Sequence, residues 1–160
     1  MVLLFITVNI PIFYLRETPI AAIFEIRKTY LLLIHIGCRD YMPALLYVQT
    51  SGIDTPERLY SPFILAQTAK AMGIDAIIYF LGMGITVVKK GNAEKIKMGQ
   101  FPGLKEVMDQ AVKAGVKLMV CEQSCQLISL AKGDFVPEAE IVGAATLNDL
   151  VLEADGTMWF

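Results

Sequence analysis

The sequence predicts an α/β fold, a three-layer α/β/α arrangement around a five-stranded, mainly parallel, doubly wound sheet that forms a single domain over residues 42–160. Three observations carry this. From Met42 onward, short apolar runs alternate with helical patterns, as they do in a parallel sheet covered by helices. The run AIIYFL is apolar at nearly every position, as a strand buried on both faces requires. Glycines at 73, 115 and 143 stand where runs and helical patterns stop.

The first strand is read at 44–49 (ALLYVQ), followed by the turn Thr50-Ser51-Gly52. A helix follows to Met72, with Thr55 as its cap and Pro56 in the first helical position, although Pro62 shifts the start later if it interrupts the first turn. Leu59, Phe63, Ala66 and Ala69 form its apolar face, with Lys70 turned away. The second strand is read at 76–81 and ends in Gly82-Met83-Gly84. Residues 85–102 are read as a mobile loop, with a short helix possible at 85–90 and an exposed basic segment of Lys89, Lys90, Lys95 and Lys97. A clear helix at 104–114 buries Leu104, Val107, Met108, Ala111 and Val112 and stops at Gly115. The third strand is 117–121, its helix 122–132, and the short fourth strand 140–142. A helix at 146–154 buries Leu147, Leu150 and Val151, and 157–160 closes the sheet.

Residues 1–41 lack this patterning. Asn9 and Pro11 interrupt the first apolar run, and Arg16, Glu17 and Pro19 end it before the 18 or so residues of a membrane span accumulate. No basic n-region opens it as a signal peptide would. The segment is expected to be an extension outside the fold, or to precede a true start at Met42. The net charge of −2 gives no reason to expect a nucleic-acid backbone as partner. Three cysteines, an odd number without a secretion signal, point to reduced thiols in the cytoplasm.

Ligands of open parallel sheets sit outside the carboxyl ends of the strands. That rule collects Thr50, Ser51 and Gly52, then Gly82 and Gly84, then Cys121 to Cys125, then Gly143. Cys121 is the nucleophile among them. It stands where a strand gives way to a helix, so free N–H groups and the positive end of the helix dipole face its sulfur. The dipole alone is worth at most about 2 kcal/mol, which would bring a thiol from about 8.5 to about 7. Glu122 opposes this if its carboxylate points toward the sulfur. Cys125, one turn on, lies on the same helix face. Free cysteine is also among the most buried residue types, so a core role stands beside the chemical one for both. Zinc would need about four ligands, and only His35, Cys38, Cys121 and Cys125 are on offer. With no histidine in the domain, hydrolase triads are excluded, and without G-x-G-x-x-G or a Walker sequence no phosphate cradle is visible. No metal and no cofactor is expected.

A thiol without a histidine can still accept and pass on sulfur. The segments YVQTSG, AIIYFLGMGITVVKKG, GLKEVMDQAVKAGVKLMVCEQSC and IVGAATLNDLVLEADGTMWF, with a long helix after the first, resemble the DsrE/DsrF-like family of small sulfur-relay proteins over essentially all of 42–160. The resemblance implies a sulfur carrier or sulfurtransferase that accepts sulfane sulfur on Cys121, with Cys125 as an accessory thiol. It further implies sulfur donor and acceptor proteins or small sulfur anions as partners, and a homo-oligomer built from trimers. In this reading the N–H groups of Glu122 and Gln123 hold the anionic product, and the loops at Gly52, Gly84 and Gly143 wall the pocket. A ligand-binding module and a structural subunit of a larger assembly are the rivals.

Overall fold

A strand, crossover and parallel strand wind right-handed, so the direction in which a chain steps across its sheet decides which face each helix covers. In the computed structural model, which describes residues 42–160, the strand order is β4-β3-β2-β1-β5 and every pairing is parallel. Among the described residues the path enters the sheet at β1 (Ala44–Gln49) and steps one way through β2 (Asp75–Phe80), β3 (Lys117–Cys121) and β4 (Ala139–Val142). The helices of those steps are α1 (Tyr60–Ala71), α2 (Leu104–Lys113) and α3 (Glu122–Leu127). The last crossover runs back over the sheet through α4 (Ala144–Glu153) to β5 (Gly156–Trp159), which lies beside β1. The five-stranded α/β sheet is therefore as expected. The expectation for residues 1–41 falls outside the described residues.

The two faces are unequally covered. Tyr47, Leu59, Phe63, Ala66, Ile78, Phe80, Leu104, Met108 and Leu118 belong to one large core under α1 and α2, and Cys125 joins it. On the other face Leu46, Val48, Tyr79 and Cys121 form a small cluster, covered by Leu147, Leu150 and Ala154. No residue of α4 is fully buried. The expected apolar face of this helix is thus corrected at one position, since Val151 points outward and Ala154 takes its place.

Three other local expectations are corrected. The first helix begins at Tyr60 after a separate 3-10 turn at Pro56–Arg58, because Pro62 has no N–H to give and fits only in the first turn. Thr55 does not cap it, and its hydroxyl bonds the Gly52 carbonyl instead. The helix after β3 ends at Leu127 rather than at 132, where the chain turns through Ser129 at φ +55°. The segment read as a mobile loop opens with a buried 3-10 helix, Gly82–Val88. Its first half is tied down: Asn92 Nδ2 donates to the Thr86 carbonyl (2.8 Å), and the Val136 N–H donates to the Val88 carbonyl (3.0 Å).

Candidate functional site

The apolar run Leu118–Val120 carries β3 into the interior, and its last residue, Cys121, also serves as the N-cap of α3. The thiol is 4% exposed. As a thiol it donates to Gln123 Oε1 at 3.5 Å. Burial pushes its pKa up, but the nearby hydroxyl and N–H of Ser124, the hydroxyl of Tyr79 and the N–H of Gln123 favour the charged form, outweigh burial and leave the thiol below its ordinary value. Burial raises the Cys125 thiol, and the Cys121 charge raises it further. As pH rises, Cys121 therefore ionises before Cys125. The fold gains from this group above the ordinary thiol range, and that gain is lost as pH falls through the lowered value.

Ser124 is held in place from across the sheet, because the N–H of Gly82, at φ +57°, donates to its Oγ at 2.8 Å. The Oγ accepts the Gly82 N–H, and its own hydroxyl favours the charged form of the nearby sulfur. The neighbouring loops are joined in the same manner. Gly84 lies so close to β1 that a Cβ there would stand 2.0 Å from the Gln49 carbonyl oxygen. Gly52 packs against the Met83 carbonyl and Thr86 Oγ1, and the carboxylate of Glu122 lies beside Gly143. Thr50 bonds the Phe160 carbonyl through both its N–H (2.7 Å) and its hydroxyl (2.6 Å). Ser51 accepts from Gln49 Nε2 at 2.7 Å.

The structure thus places the loops of Thr50, Ser51, Gly52, Gly82, Gly84, Glu122, Gln123 and Gly143 in one row along the carboxyl edge. Of these, Gln123 is bonded to the sulfur, its Oε1 accepting from Sγ, and the N–H groups of Gln123 and Ser124 both favour its charged form. Cys121 and Cys125 are buried in different clusters, one on each side of the sheet. Sequence reasoning missed Ser124 and Tyr79. A serine three residues after the cysteine falls in the first helical turn and was open to recognition, whereas Tyr79 read as one more core residue of β2.

The larger cavities lie away from the thiol. One of about 540 Å³ sits where the strand order reverses, between the ends of β1 and β5, and is lined by Thr50, Glu57, Arg58, Ser61, Trp159 and Phe160. One of about 520 Å³ lies between α4 and Trp159, and one of about 310 Å³ is bordered by Ile53, Asn92, Lys95, Ile96 and Lys97. Lys95 and Lys97 border this cavity, whereas Lys90 Nζ donates to the Gly133 carbonyl at 2.6 Å. Among the described residues no group of three or more His, Cys, Asp or Glu side chains could hold a metal ion, and no described helix is long and apolar enough to cross a membrane.

Comparison with known proteins follows the same outline. The chain is 28% identical over 102 residues to uncharacterized protein MJ0760 of Methanocaldococcus jannaschii, a match covering 64% of this chain but only 37% of that protein. It is 25% identical over 136 residues to sulfur carrier protein DsrE2 of Allochromatium vinosum, covering 60% of this chain and 86% of that one. The crystal structure of the ychN protein from E. coli superposes with a TM-score of 0.63 at 16% identity, covering 74% of this chain and all of that one, which establishes the shared fold. The model of the DsrE/DsrF-like family matches residues 44–160, and the chain belongs to that family.

Proposed function

We propose that the protein is a sulfur carrier or sulfurtransferase that takes sulfane sulfur on Cys121 and hands it to a partner. The observation that carries this reading is a single sulfur at a strand-to-helix junction, held below its ordinary pKa by the groups of Ser124, Tyr79 and Gln123 beside it, with no histidine among the described residues to act as a base. Such an environment favours an anionic sulfur and suits a nucleophile that needs no proton removed at the moment of attack. With thiosulfate, the Cys121 thiolate attacks the outer sulfur, a sulfur–sulfur bond forms and sulfite leaves with the electron pair of the bond that breaks. With a persulfide donor the leaving group is the donor's thiolate. The product on Cys121 is a persulfide in both cases, and the family membership and the DsrE2 likeness support the same role.

The partners in this reading are sulfur donor and acceptor proteins or small sulfur anions, and the working form is a homo-oligomer. Leu127, Leu152 and Trp159, exposed by 81%, 84% and 58%, supply apolar surface for contact between copies. The low exposure of Cys121 favours a second reading, a structural or ligand-binding subunit in which the thiol is a core residue. Intact mass of the full chain after incubation with thiosulfate, tetrathionate or polysulfide decides between them. A dithiothreitol-reversible sulfur adduct is expected on the wild type and on Cys125→Ser and is absent from Cys121→Ser. No adduct from any donor, with Cys121 slow to alkylate, would transfer the case to the subunit reading.

Lys95 and Lys97 are expected to draw in anionic donors. Changing both to glutamine should slow loading by thiosulfate severalfold at low salt, with the difference vanishing at high ionic strength. Equal rates and equal salt dependence would remove them from the pathway.

A further inference from the structure

We propose that Tyr79 is a positioning residue for the sulfur of Cys121, its hydroxyl donating to that sulfur when it is anionic and lacking a good acceptor when it is not. This rests on the reading of Cys121 as the sulfur-accepting residue. Tyr79 pairs with Met119 in the β2–β3 register, so Cys121, two residues further along β3, lies diagonally beside it on the same face of the sheet. The two share the small cluster with Leu46 and Val48. The Tyr79 side chain is fully buried, and among the described residues its Oη makes no hydrogen bond of ordinary geometry. A buried hydroxyl without an acceptor is costly, and such an atom in a tightly packed strand calls for a reason.

The sulfur supplies that reason. A neutral thiol is a weak acceptor, whereas a thiolate or a perthiolate is a strong one. The hydroxyl is therefore poorly satisfied while Cys121 is protonated and becomes satisfied as the sulfur acquires charge, an interaction stronger in the reactive form than in the resting one. The electrostatics agree: Cys121 and Tyr79 act on each other, the hydroxyl lowering the thiol and the sulfur raising the phenol after burial. Other titratable groups are few around this pair. Cys125 and Glu122 lie on α3, while β1 and α4 present Leu46, Val48, Leu147 and Leu150 to the cluster.

The loaded state offers the hydroxyl the same partner. After transfer the terminal sulfur carries the charge, and a phenol O–H beside the inner sulfur keeps that sulfur in place while the outer one is presented to an acceptor. Tyr79 thereby couples the ionisation of the thiol to its orientation, without itself gaining or losing a proton.

The test is the pH dependence of iodoacetamide labelling in the full chain, read at Cys121 by peptide mass spectrometry. For Tyr79→Phe the midpoint is expected to rise by about one pH unit, equivalent to about 1.4 kcal/mol, with the unfolding temperature unchanged or raised. An unchanged or lowered midpoint overturns the proposal. If Tyr79→Phe does not fold, 3-fluorotyrosine placed at 79, a stronger donor, is expected to lower the midpoint, and no change would overturn the proposal equally. Labelling needs no sulfur donor. A chain that shows the shift yet never loads sulfur therefore sinks the proposed function alone, and one that loads sulfur without the shift sinks the role of Tyr79 alone.

Discussion

Gly84→Ala is expected to lower the stability of the fold by about 3–5 kcal/mol, with an unfolding temperature lower by on the order of 10 °C or more. An added Cβ would lie 2.0 Å from the Gln49 carbonyl oxygen, 2.8 Å from its carbon and 3.3 Å from the Thr50 Cα. All three are backbone atoms, so no side chain can swing aside. The Gln49 carbonyl is also committed, since it accepts the Leu81 N–H at 2.9 Å. Relief requires moving the end of β1 away from β2, which breaks that bond and disturbs the buried Gln49 side chain. Gly91→Ala is the control. Gly91 has a positive φ of 79° but open space around it, so alanine costs only the left-handed strain, about 1–2 kcal/mol. Thermal unfolding followed by circular dichroism separates the two, and equal effects would mean that close approach at 84 is not what the glycine is for.

Ser124→Ala is expected to act twice. It deprives the Gly82 N–H of its acceptor, which costs about 1–3 kcal/mol for a partly buried donor. It also takes a hydroxyl away from the Cys121 sulfur, and hydrogen bonds to charged groups are worth about 1.5–3 kcal/mol, so the labelling midpoint of Cys121 should rise by about 1–2 pH units. The sign follows from which form is favoured. The serine donates, a donor favours the thiolate, and its loss restores the thiol. Rate of loading at neutral pH should fall with the thiolate fraction, by about tenfold for each unit. A variant that is less stable but labels with the wild-type midpoint would assign Ser124 to the fold and not to the sulfur.

Much of this architecture was legible because it rests on pattern. The strand starts and ends fall within one residue of expectation, since a parallel strand buried on both faces is a nearly unbroken apolar run. The corrections cluster where bonds are long in sequence. Nothing local in Ile85–Val88 announces that Val88 will pair with Val136 or that Asn92 will fold back on Thr86, and the lysines that follow suggested exposure. The early end of α3 is a local event that the pattern does not announce, because CQLISLAK contains neither glycine nor proline and Ser129 adopts a left-handed conformation to bring Leu130 onto the Cys125 carbonyl. At the candidate site, Cys121 was visible as a candidate nucleophile at a strand-to-helix junction, and the charge of the helix end was a reasonable first account of its ionisation. The individual donors were not visible. Ser124 owes its orientation to Gly82, forty-two residues away, and the hydroxyl of Tyr79 has significance only once β2 and β3 are in register.

The two outermost strands, β4 and β5, are four residues long each. A strand of that length leaves only a pair or so of outward N–H and C=O groups to template another chain, and Glu140 stands within one of them, so the sheet is poorly suited to growth by continuation from copy to copy. Short, interrupted rims protect against open-ended fibrillar pairing while leaving lateral association untouched. Contacts between copies of the described domain would then fall to side chains on its broad surfaces, and closed, finite symmetry is the common outcome of such contacts.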